Sequence, residues 1–309
     1  MRVADYARLV LLAAIWGASF LLMRIAAPVL GALPTAFFRV LFGAIGLAVL
    51  LALMRTTWVF KGKFKSTMLL GVINSGIPFL MYCLAAKLLP AGYSAIFNAT
   101  TPLMGVVIGY LFFQETLSGK KIGGVIAGLA GVSLLTATGP VTISSTVVLG
   151  ALACLVATAC YGTAGFLTKR WISEKGGLDA KLVAFGSQIG ATVFLAPIFG
   201  GAALIAPMAS WGDMHVWLAV LGVGVFCTAF AYILYFRLIA DIGPVKSLTV
   251  TFLIPPFGVL WGFLFLGEQV TLAHLEGGGL IALAVWLVLA PSQTRVSNAK
   301  ADAKPPVSD

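Results

Sequence analysis

The fold of this chain is decided by one stretch of sequence, Ser94-Ala95-Ile96-Phe97-Asn98-Ala99-Thr100-Thr101-Pro102, which continues through Gly105 and Gly109 to Glu115. The same pattern returns as Ser247-Leu248-Thr249-Val250-Thr251-Phe252-Leu253-Ile254-Pro255, which continues through Gly258 and Gly262 to Glu268. Each matching Ser, Pro, Gly and Glu lies 153 positions after its counterpart, as 247 − 94 and 268 − 115 show. Nine residues beyond each glutamate, Gly124 and Gly277 begin the next apolar run. The second half of the chain therefore repeats the first.

The composition excludes a soluble globular protein. The 309 residues are 60% hydrophobic and 10% charged, with a mean hydropathy of +1.04, whereas soluble domains carry about 25% charged residues. An apolar run of about 20 residues spans a bilayer, and its backbone must be helical because hydrocarbon offers it no hydrogen-bond partners. The sequence predicts an all-α membrane protein with ten transmembrane helices, at about 7–29, 35–54, 67–87, 93–113, 122–138, 147–168, 182–200, 216–236, 247–266 and 275–290.

Most of the basic residues fall on one predicted side of the membrane. With the N-terminus placed inside, the predicted cytoplasmic segments hold 17 of the 20 Lys and Arg residues. The other three are Arg24, Arg39 and Lys87, which fall near the outer surface. This asymmetry predicts cytoplasmic N- and C-termini, and it accounts for the net charge of +10 without a nucleic-acid partner.

Five spans in each copy give the two halves opposite orientations in the bilayer. We predict two inverted five-helix repeats, residues 7–138 and 147–290, which form one domain around a central cavity. Residues 291–309 are polar and rich in proline, and they are predicted to be a disordered cytoplasmic tail. Because each repeat supplies the other with packing partners, we expect a monomer.

The N-terminal segment also has features of a cleaved signal peptide, because two arginines precede its apolar run. However, Trp16-Gly17 followed by Arg24 has a counterpart 145 positions later, Tyr161-Gly162 followed by Lys169. A removable leader has no reason to be duplicated, so this segment is expected to be the first helix.

The residue pattern does not favour an enzyme or a metalloprotein. The four cysteines, Cys83, Cys154, Cys160 and Cys227, fall inside predicted spans and form no Cys-x-x-Cys or Cys/His cluster. The sequence has no Walker loop, HExxH or GxSxG motif, and His274-Leu275-Glu276 lacks the cysteines of a deaminase. We expect no enzyme activity, no metal and no cofactor.

Polar residues mark the helices that are expected to line the cavity. Residues four apart share a helix face, and one such face of span three carries Asn74 and Tyr82. The equivalent face of span eight carries Thr228 and Tyr232. Polar groups at mid-bilayer depth are costly unless a cavity or a partner helix receives them. Asn74 and Asn98 are therefore expected either to line the cavity or to hydrogen bond between helices.

Aromatic residues inside the spans suggest a ligand with apolar or aromatic groups. Trp16 and Tyr161 occupy equivalent positions in the two halves, and their rings can stack on a solute while the indole N–H and the hydroxyl give direction. Location in an interfacial aromatic belt is the alternative for each ring. The predicted substrate-binding residues are Trp16, Asn74, Tyr82, Asn98, Tyr161, Thr228, Tyr232 and Trp261.

Prolines and glycines in the spans predict kinks and close contacts. Pro78, Pro102, Pro255 and Pro256 are expected to kink their helices or to act as hinges, because proline frees a backbone carbonyl one turn earlier. The Gly-x-x-x-Gly pairs at 105/109 and 258/262 are expected to be close-packing surfaces between the repeats.

Charged residues are scarce inside the spans, and no Asp or Glu occurs in the middle of one, so proton-coupled antiport of cations is not favoured. Arg24, Arg39 and Lys87 are expected to form a basic zone toward the outer side that meets a substrate carboxylate. The alternatives for these residues are snorkelling and pairing with Glu268 or Glu276.

The chain resembles the drug/metabolite transporter superfamily, as a double EamA-domain protein. The resemblance rests on Ile15-Trp16-Gly17 through Phe20, on the Pro-x-x-Gly…Gly…Glu pattern of spans four and nine, and on the Gly-rich starts of spans five and ten. Within that superfamily it is most similar to bacterial aromatic amino-acid exporters of the YddG type. The resemblance implies a ten-helix basket around a central cavity, a location in a bacterial inner membrane, and export of aromatic and other hydrophobic amino acids.

These observations together predict a secondary transporter of small molecules that works by alternating access, with the lipid bilayer as its surroundings. The alternative is a sugar-phosphate or nucleotide-sugar carrier, which needs paired Lys or Arg deep in the cavity, where this sequence is expected to be apolar, amide or aromatic. A non-transporting intramembrane protein is the less favoured reading.

Overall fold

The structure is a computed structural model that describes residues 3–138, 142, 144–205, 210–242, 247 and 250–289. Within these ranges the chain is all-helical and contains no β-strand. The predicted tail, 291–309, lies outside the described residues, as do position 290 and Leu248 and Thr249 of the repeated motif.

A helix is present in each of the ten predicted apolar stretches. Their bounds are α1, Val3–Leu30; α2, Ala32–Leu53; α3, Phe64–Leu88; α4, in two segments, Ala91–Asn98 and Thr101–Phe113; α5, Gly119–Thr138; α6, Ser145–Trp171; α7, Ala180–Ile205; α8, Met214–Ile242; α9, Val250–Leu266; and α10, Leu272–Leu289. Most helices extend past the predicted spans by a few residues, because backbone hydrogen bonding continues into polar flanks that hydropathy does not detect.

The helices have the length and surface of a multi-pass membrane protein. Seven of them are each long and apolar enough to cross a bilayer, and there are eight if the two segments of α4 count as one span. The described parts of α9 and α10 are shorter apolar helices. Large apolar side chains are exposed on the outside, among them Phe112, Phe265 and Trp286, which suits contact with lipid rather than water.

Within the described parts of the ten helices, the backbone departs from regular α-helix at three places. A π-helical segment, Val72–Gly76, interrupts α3, and a second one, Gly222–Phe230, interrupts α8 at the position 150 residues later. The two segments of α4 meet at a bend of 44°. The π-helical segments of α3 and α8 occupy equivalent positions in the repeat, so the two halves share this deformation. The bend of α4 has no counterpart in the described part of α9, which is a continuous helix.

The four prolines predicted as kinks or hinges have different surroundings. Pro78 begins the α-helical turns that follow the π-helical segment of α3, and Pro102 lies in the first turn after the bend of α4. Pro255 and Pro256 lie inside the continuous helix α9. A hinge role for any of them stays a prediction.

The two halves pack against each other in matched pairs. Helix α1 packs on α9, and its repeat counterpart α6 packs on α4. In the same way α2 packs on α8 and α7 packs on α3, while α5 packs on its own counterpart, α10. Each half therefore buries its apolar faces against the other, in a core that includes Leu12, Phe97, Leu135 and Leu195.

Helices α4 and α9, which occupy equivalent positions in the two halves, run in opposite directions. Where α4 meets α9, Gly92 lies against Val259, and Gly258, one residue earlier in α9, lies against Ala95, which is later in α4. The carboxylate of Glu268, beyond the end of α9, accepts hydrogen bonds from the backbone N–H of Ala91 at 2.7 Å and of Gly92 at 3.2 Å. The end of α9 thus lies at the beginning of α4, and the two helices are antiparallel.

The contact between α5 and α10 shows the same relation twice. A Cβ on Gly124 would lie 2.7 Å from Val288, and a Cβ on Gly277 would lie 2.8 Å from the Cβ of Leu135. Gly277 lies 153 positions after Gly124, and Val288 lies 153 positions after Leu135. One contact is therefore the repeat image of the other, across antiparallel helices.

The first glycine of each Gly-x-x-x-Gly pair lies at a crossing between the halves, which agrees with the close-packing prediction. A Cβ on Gly162 of α6 would lie 2.8 Å from the Cα of Gly105 in α4, and a Cβ on Gly17 of α1 would lie 3.0 Å from the backbone nitrogen of Gly258 in α9. Side chains at these positions would separate the backbones. The second glycines of the pairs have other neighbours: Gly109 lies against Phe166, and Gly262 lies against Glu268.

Helices α3 and α7 make the tightest backbone approach. A Cβ on Gly190 of α7 would overlap the carbonyl oxygen of Met68, and a Cβ on Gly71 of α3 would overlap the carbonyl oxygen of Ser187. These neighbours are backbone atoms and cannot rotate away, so any side chain there forces the helices apart.

We predict that Gly190→Ala lowers the stability of the folded protein, by about 1–3 kcal/mol, because the new methyl group overpacks a backbone contact. Gly200→Ala, in the same helix, is the matched control: its Cβ would meet nothing within 4 Å. The control should be neutral or slightly stabilising, because alanine favours helix over glycine. Thermal unfolding of the purified variants in detergent measures the difference, and equal midpoints would contradict the packing assigned here.

Candidate functional site

A cavity of about 800 Å³ lies between the two halves. This volume is within the range of small-molecule binding pockets. Its described walls come from α1 to α4 of the first half and from α6 to α9 of the second, so α5 and α10 do not take part. The cavity extends to the connection between α6 and α7, where Ile172, Ser173, Gly177 and Leu178 line it.

Helix α1 contributes a stripe of side chains at helical spacing. Trp16, Ser19, Phe20 and Met23 all line the cavity, and residues three, four and seven apart lie on one face of a helix. The Ser19 hydroxyl donates to the carbonyl of Trp16 at 2.6 Å, which satisfies it within the helix. The stripe therefore presents a mostly apolar surface.

Helices α3 and α8 reach the cavity through their π-helical segments. Asn74 lies in the segment of α3 and Thr228 in that of α8, and both line the cavity. The Thr228 hydroxyl donates to the carbonyl of Val223, five residues earlier, at 2.8 Å, a partner that the wider π-turn provides. π-Bulges are frequent at functional sites because they displace the side chains of one turn. Tyr82 and Tyr232 line the cavity from the following turns.

Helix α4 presents polar side chains on both sides of its bend. Asn98 ends the first segment and Thr101 begins the second, and both line the cavity. Asn98 Oδ1 accepts a hydrogen bond from the Tyr82 hydroxyl at 2.9 Å, and the Thr101 hydroxyl donates to the Asn98 carbonyl at 2.7 Å. Both readings of Asn98 hold, since it faces the cavity and also joins α4 to α3.

Aromatic rings form a connected part of the wall. Tyr82 and Tyr161, from opposite halves, are stacked with centroids 6.1 Å apart, and Phe20 meets Tyr82 edge-on at 5.4 Å. Trp16 lies 5.2 Å from Tyr235. Such rings offer faces and edges to an apolar or aromatic solute, and hydroxyl and amide groups beside them can orient it.

Arg39 is the one charged residue among the described residues that line the cavity. It is only 6% exposed, and its guanidinium carbon lies 3.5 Å from the centroid of the Phe79 ring. Its Nη1 lies 3.0 Å from the sulfur of Met23, and it forms no ion pair with a described carboxylate. The inner face of α2 thus brings Arg39, one of the three cations predicted to meet a substrate carboxylate, to the cavity wall.

Seven of the eight predicted binding residues line the cavity, and Trp261 does not. Its indole N–H donates to the carbonyl of Ala14 at 2.9 Å, which places it in the contact between α1 and α9. Of the three cations of the predicted basic zone, Arg39 is the one among the described cavity-lining residues. Arg24 donates to the carbonyl of Ala86 at 2.7 Å, Lys87 is exposed, and neither pairs with Glu268 or Glu276 among the described contacts.

Several lining residues were not identified from the sequence. Phe20 and Met23 lie four and seven residues after Trp16, and Tyr235 and Phe236 lie three and four after Tyr232. These four residues lie on the same helix faces as Trp16 and Tyr232, within two turns, so helical spacing is the signal that identifies them. Phe79 lies three residues before Tyr82, but its sequence position does not distinguish it from other buried rings. Its place in the site is evident only from its contact with Arg39 in the structure.

Comparison with known proteins gives consistent matches over nearly the whole chain. Residues 6–137 and 148–290 match the EamA-like transporter family. Two proteins of Bacillus subtilis, the uncharacterized transporters YoaV and YvbV, are 22% and 28% identical, over 88% and 93% of this chain and 92% of each relative. A probable terminal-alkyne amino-acid exporter of Streptantibioticus cattleyicolor is 25% identical over 64% of each chain.

A solved crystal structure has the same overall fold. It superposes with a TM-score of 0.62 over 94% of this chain and 97% of its own length, at 20% sequence identity. Two consecutive family matches, separated by a short connection, cover the two halves that the repeated motif delimits. The chain belongs to the EamA-like transporter family and contains two copies of its characteristic unit.

Proposed function

We propose that this protein is a secondary transporter that exports hydrophobic or aromatic amino acids, or similar small metabolites, by alternating access. The observation that carries this proposal is the cavity between the halves, whose described walls are aromatic and amide-bearing and hold a single charge. Family membership supports transport itself. One relative, the exporter of Streptantibioticus cattleyicolor, is named for an amino-acid cargo, which supports the substrate class.

The proposed architecture is a ten-span membrane domain made of two inverted repeats, residues 7–138 and 147–290. The antiparallel packing of α4 on α9 and of α5 on α10 supports inversion, since equivalent helices then point to opposite sides of the bilayer. The charge distribution supports placement of both termini in the cytoplasm, and the bacterial transporter relatives support a bacterial inner membrane. Because the interlocked halves already cover each other, the proposed transporter is a monomer.

The proposed conformation is open to the cytoplasm. The cavity extends to the connection between α6 and α7, which lies near Lys169, Arg170 and Lys175 on the predicted cytoplasmic side. At the opposite end, the carboxylate of Glu268 holds the start of α4 through two backbone N–H groups. Alternating access requires this outer contact to break when the cavity opens outward.

A sugar-phosphate or nucleotide-sugar carrier is the alternative. Such cargo carries close to two negative charges at its phosphate, and paired cations are expected to receive them. Arg39 is the single cation among the described lining residues, and Arg24 and Lys87 lie elsewhere. The cavity therefore favours a cargo with at most one negative charge.

We predict that Lys61 and Ser210 lie on opposite sides of the bilayer, because they occupy equivalent connections of two inverted repeats. In a background with all cysteines replaced by alanine, Lys61→Cys should react with a membrane-impermeant thiol reagent only after permeabilisation. Ser210→Cys should react in intact right-side-out vesicles, and Lys175→Cys should behave as Lys61→Cys does. Labelling of positions 61 and 210 from the same side would overturn the inverted arrangement.

We predict that Glu268→Gln shifts the protein toward an outward-open state. A neutral amide accepts more weakly than a carboxylate at a helix N-terminus, where a charged hydrogen bond contributes about 1.5–3 kcal/mol. In right-side-out vesicles, Ser19→Cys in the cavity should then react several-fold faster with an impermeant thiol reagent. Glu276→Gln, which changes an exposed carboxylate of α10, should leave that rate unchanged. Equal rates in both variants would remove Glu268 from the outer contact.

We predict saturable counterflow of labelled Phe, Trp or Met in proteoliposomes that contain the purified protein. The aromatic wall should favour Phe and Trp over Thr, and a sugar phosphate should not exchange, since its charge exceeds what Arg39 neutralises. Liposomes without protein provide the control. Exchange of the sugar phosphate but of no amino acid would establish the alternative carrier, and exchange of no solute in a broad panel would exclude both.

A further inference from the structure

Arg39 is a buried cation with no anionic partner in the described part of the chain. It is 6% exposed, its Nε has no hydrogen-bond partner, and no described carboxylate pairs with it. Its close contacts are the Met23 sulfur at 3.0 Å and the face of the Phe79 ring at 3.5 Å. These contacts are weak substitutes for water, and burying an uncompensated charge is strongly unfavourable. An anion that arrived through the cavity would relieve that cost.

The surroundings of Arg39 favour a carboxylate over a phosphate. A guanidinium presents paired N–H donors in a planar fork, which matches the two oxygens of one carboxylate. Neutralising a phosphate ester would take a second cation, and Arg39 is the single cation among the described lining residues. Arg24 is already bonded to the Ala86 carbonyl, and Lys87 is exposed.

The same walls offer a positive charge only neutral acceptors and the faces of aromatic rings. No Asp or Glu is among the described residues that line the cavity. An ammonium group would find neutral acceptors there, such as Asn74, Asn98 and the tyrosine hydroxyls. A carboxylate at Arg39 forms an ion pair in which both partners are charged, whereas an ammonium group has only neutral acceptors and is repelled by the guanidinium. The anionic end of a zwitterion should therefore contribute more to its binding than the cationic end.

We propose that Arg39 is the anchoring subsite for a monocarboxylate, and that the cavity recognises an anionic head with an apolar or aromatic body, whether or not the ligand carries an amino group. The ligand carboxylate accepts from the guanidinium, and the ligand body lies against the wall formed by Phe20, Tyr82, Tyr161 and Trp16. This assignment rests on the proposed function, in which the cavity is the transport site.

Three small probes test the charge preference with the wild-type protein: 3-phenylpropionate, Phe and phenethylamine, which share one ring and differ in their charged groups. A ligand that binds the folded state raises its unfolding midpoint in proportion to the logarithm of concentration over Kd. With purified full-length protein, 3-phenylpropionate and Phe should both stabilise, and phenethylamine should bind at least tenfold more weakly than 3-phenylpropionate. Equal stabilisation by phenethylamine, or none by 3-phenylpropionate, would overturn the proposal.

Variants then test the residue. Arg39→Gln should weaken 3-phenylpropionate binding at least tenfold and leave phenethylamine unaffected, and Arg39→Lys should fall between, because lysine keeps the charge without the fork. Arg24→Gln is the matched control and should retain wild-type affinity, since Arg24 does not line the cavity. The ligand-free Arg39→Gln protein should unfold at an equal or higher temperature, because it no longer buries an unpaired cation.

These binding measurements separate the subsite from transport. If Arg39→Gln keeps the affinity of wild type for 3-phenylpropionate, the subsite is excluded, even if Phe counterflow succeeds. If Arg39→Gln abolishes the binding while no amino acid exchanges in proteoliposomes, the subsite stands and the proposed transport of amino acids fails.

Discussion

The backbone in hydrocarbon has no hydrogen-bond partner except itself, and this constraint shapes the whole molecule. It makes every described apolar stretch a helix, and it allows irregular backbone only where protein or a cavity receives the freed groups. The interruptions agree with that rule. The π-helical segments of α3 and α8 and the bend of α4 all lie beside the cavity, and Asn74, Thr228 and Asn98 at these places contribute to its wall. The same departures that weaken the helices therefore create the polar part of the site.

Packing between the halves depends on small residues at the crossings. Hydrocarbon gives helices no hydrophobic reason to associate, so close van der Waals contact must hold them together. Gly105 against Gly162 and Gly258 against Gly17 provide it at equivalent crossings. Each half supplies one glycine to each of these crossings, so the duplicated sequence provides both sides of each contact. The cavity is the space left where larger side chains keep the halves apart.

Much of the site could be predicted because it follows helical spacing and the repeat. Asn74 and Tyr82 share a face, as do Thr228 and Tyr232, and Trp16 and Tyr161 are equivalent positions. Trp261 satisfies the same sequence criteria but packs against α1, because spacing shows which residues share a face and not which neighbour covers it. The sequence positions of the three cations in the predicted basic zone did not distinguish them. In the structure, Arg24 donates to a backbone carbonyl, Arg39 lines the cavity and Lys87 is exposed at the surface.

The sequence alone determined the helical membrane class, the two-unit organisation and the polarity of each face, because these depend on composition, period and repetition along one chain. The π-helical segments, the antiparallel pairing of α4 with α9 and the burial of Arg39 without a carboxylate appeared only in the tertiary structure. Each of these depends on atoms from helices far apart in sequence. The rotation of the helices against one another decides whether a cation lies in water, beside an acid or at the wall of a cavity. The identity of the residue alone does not specify that rotation.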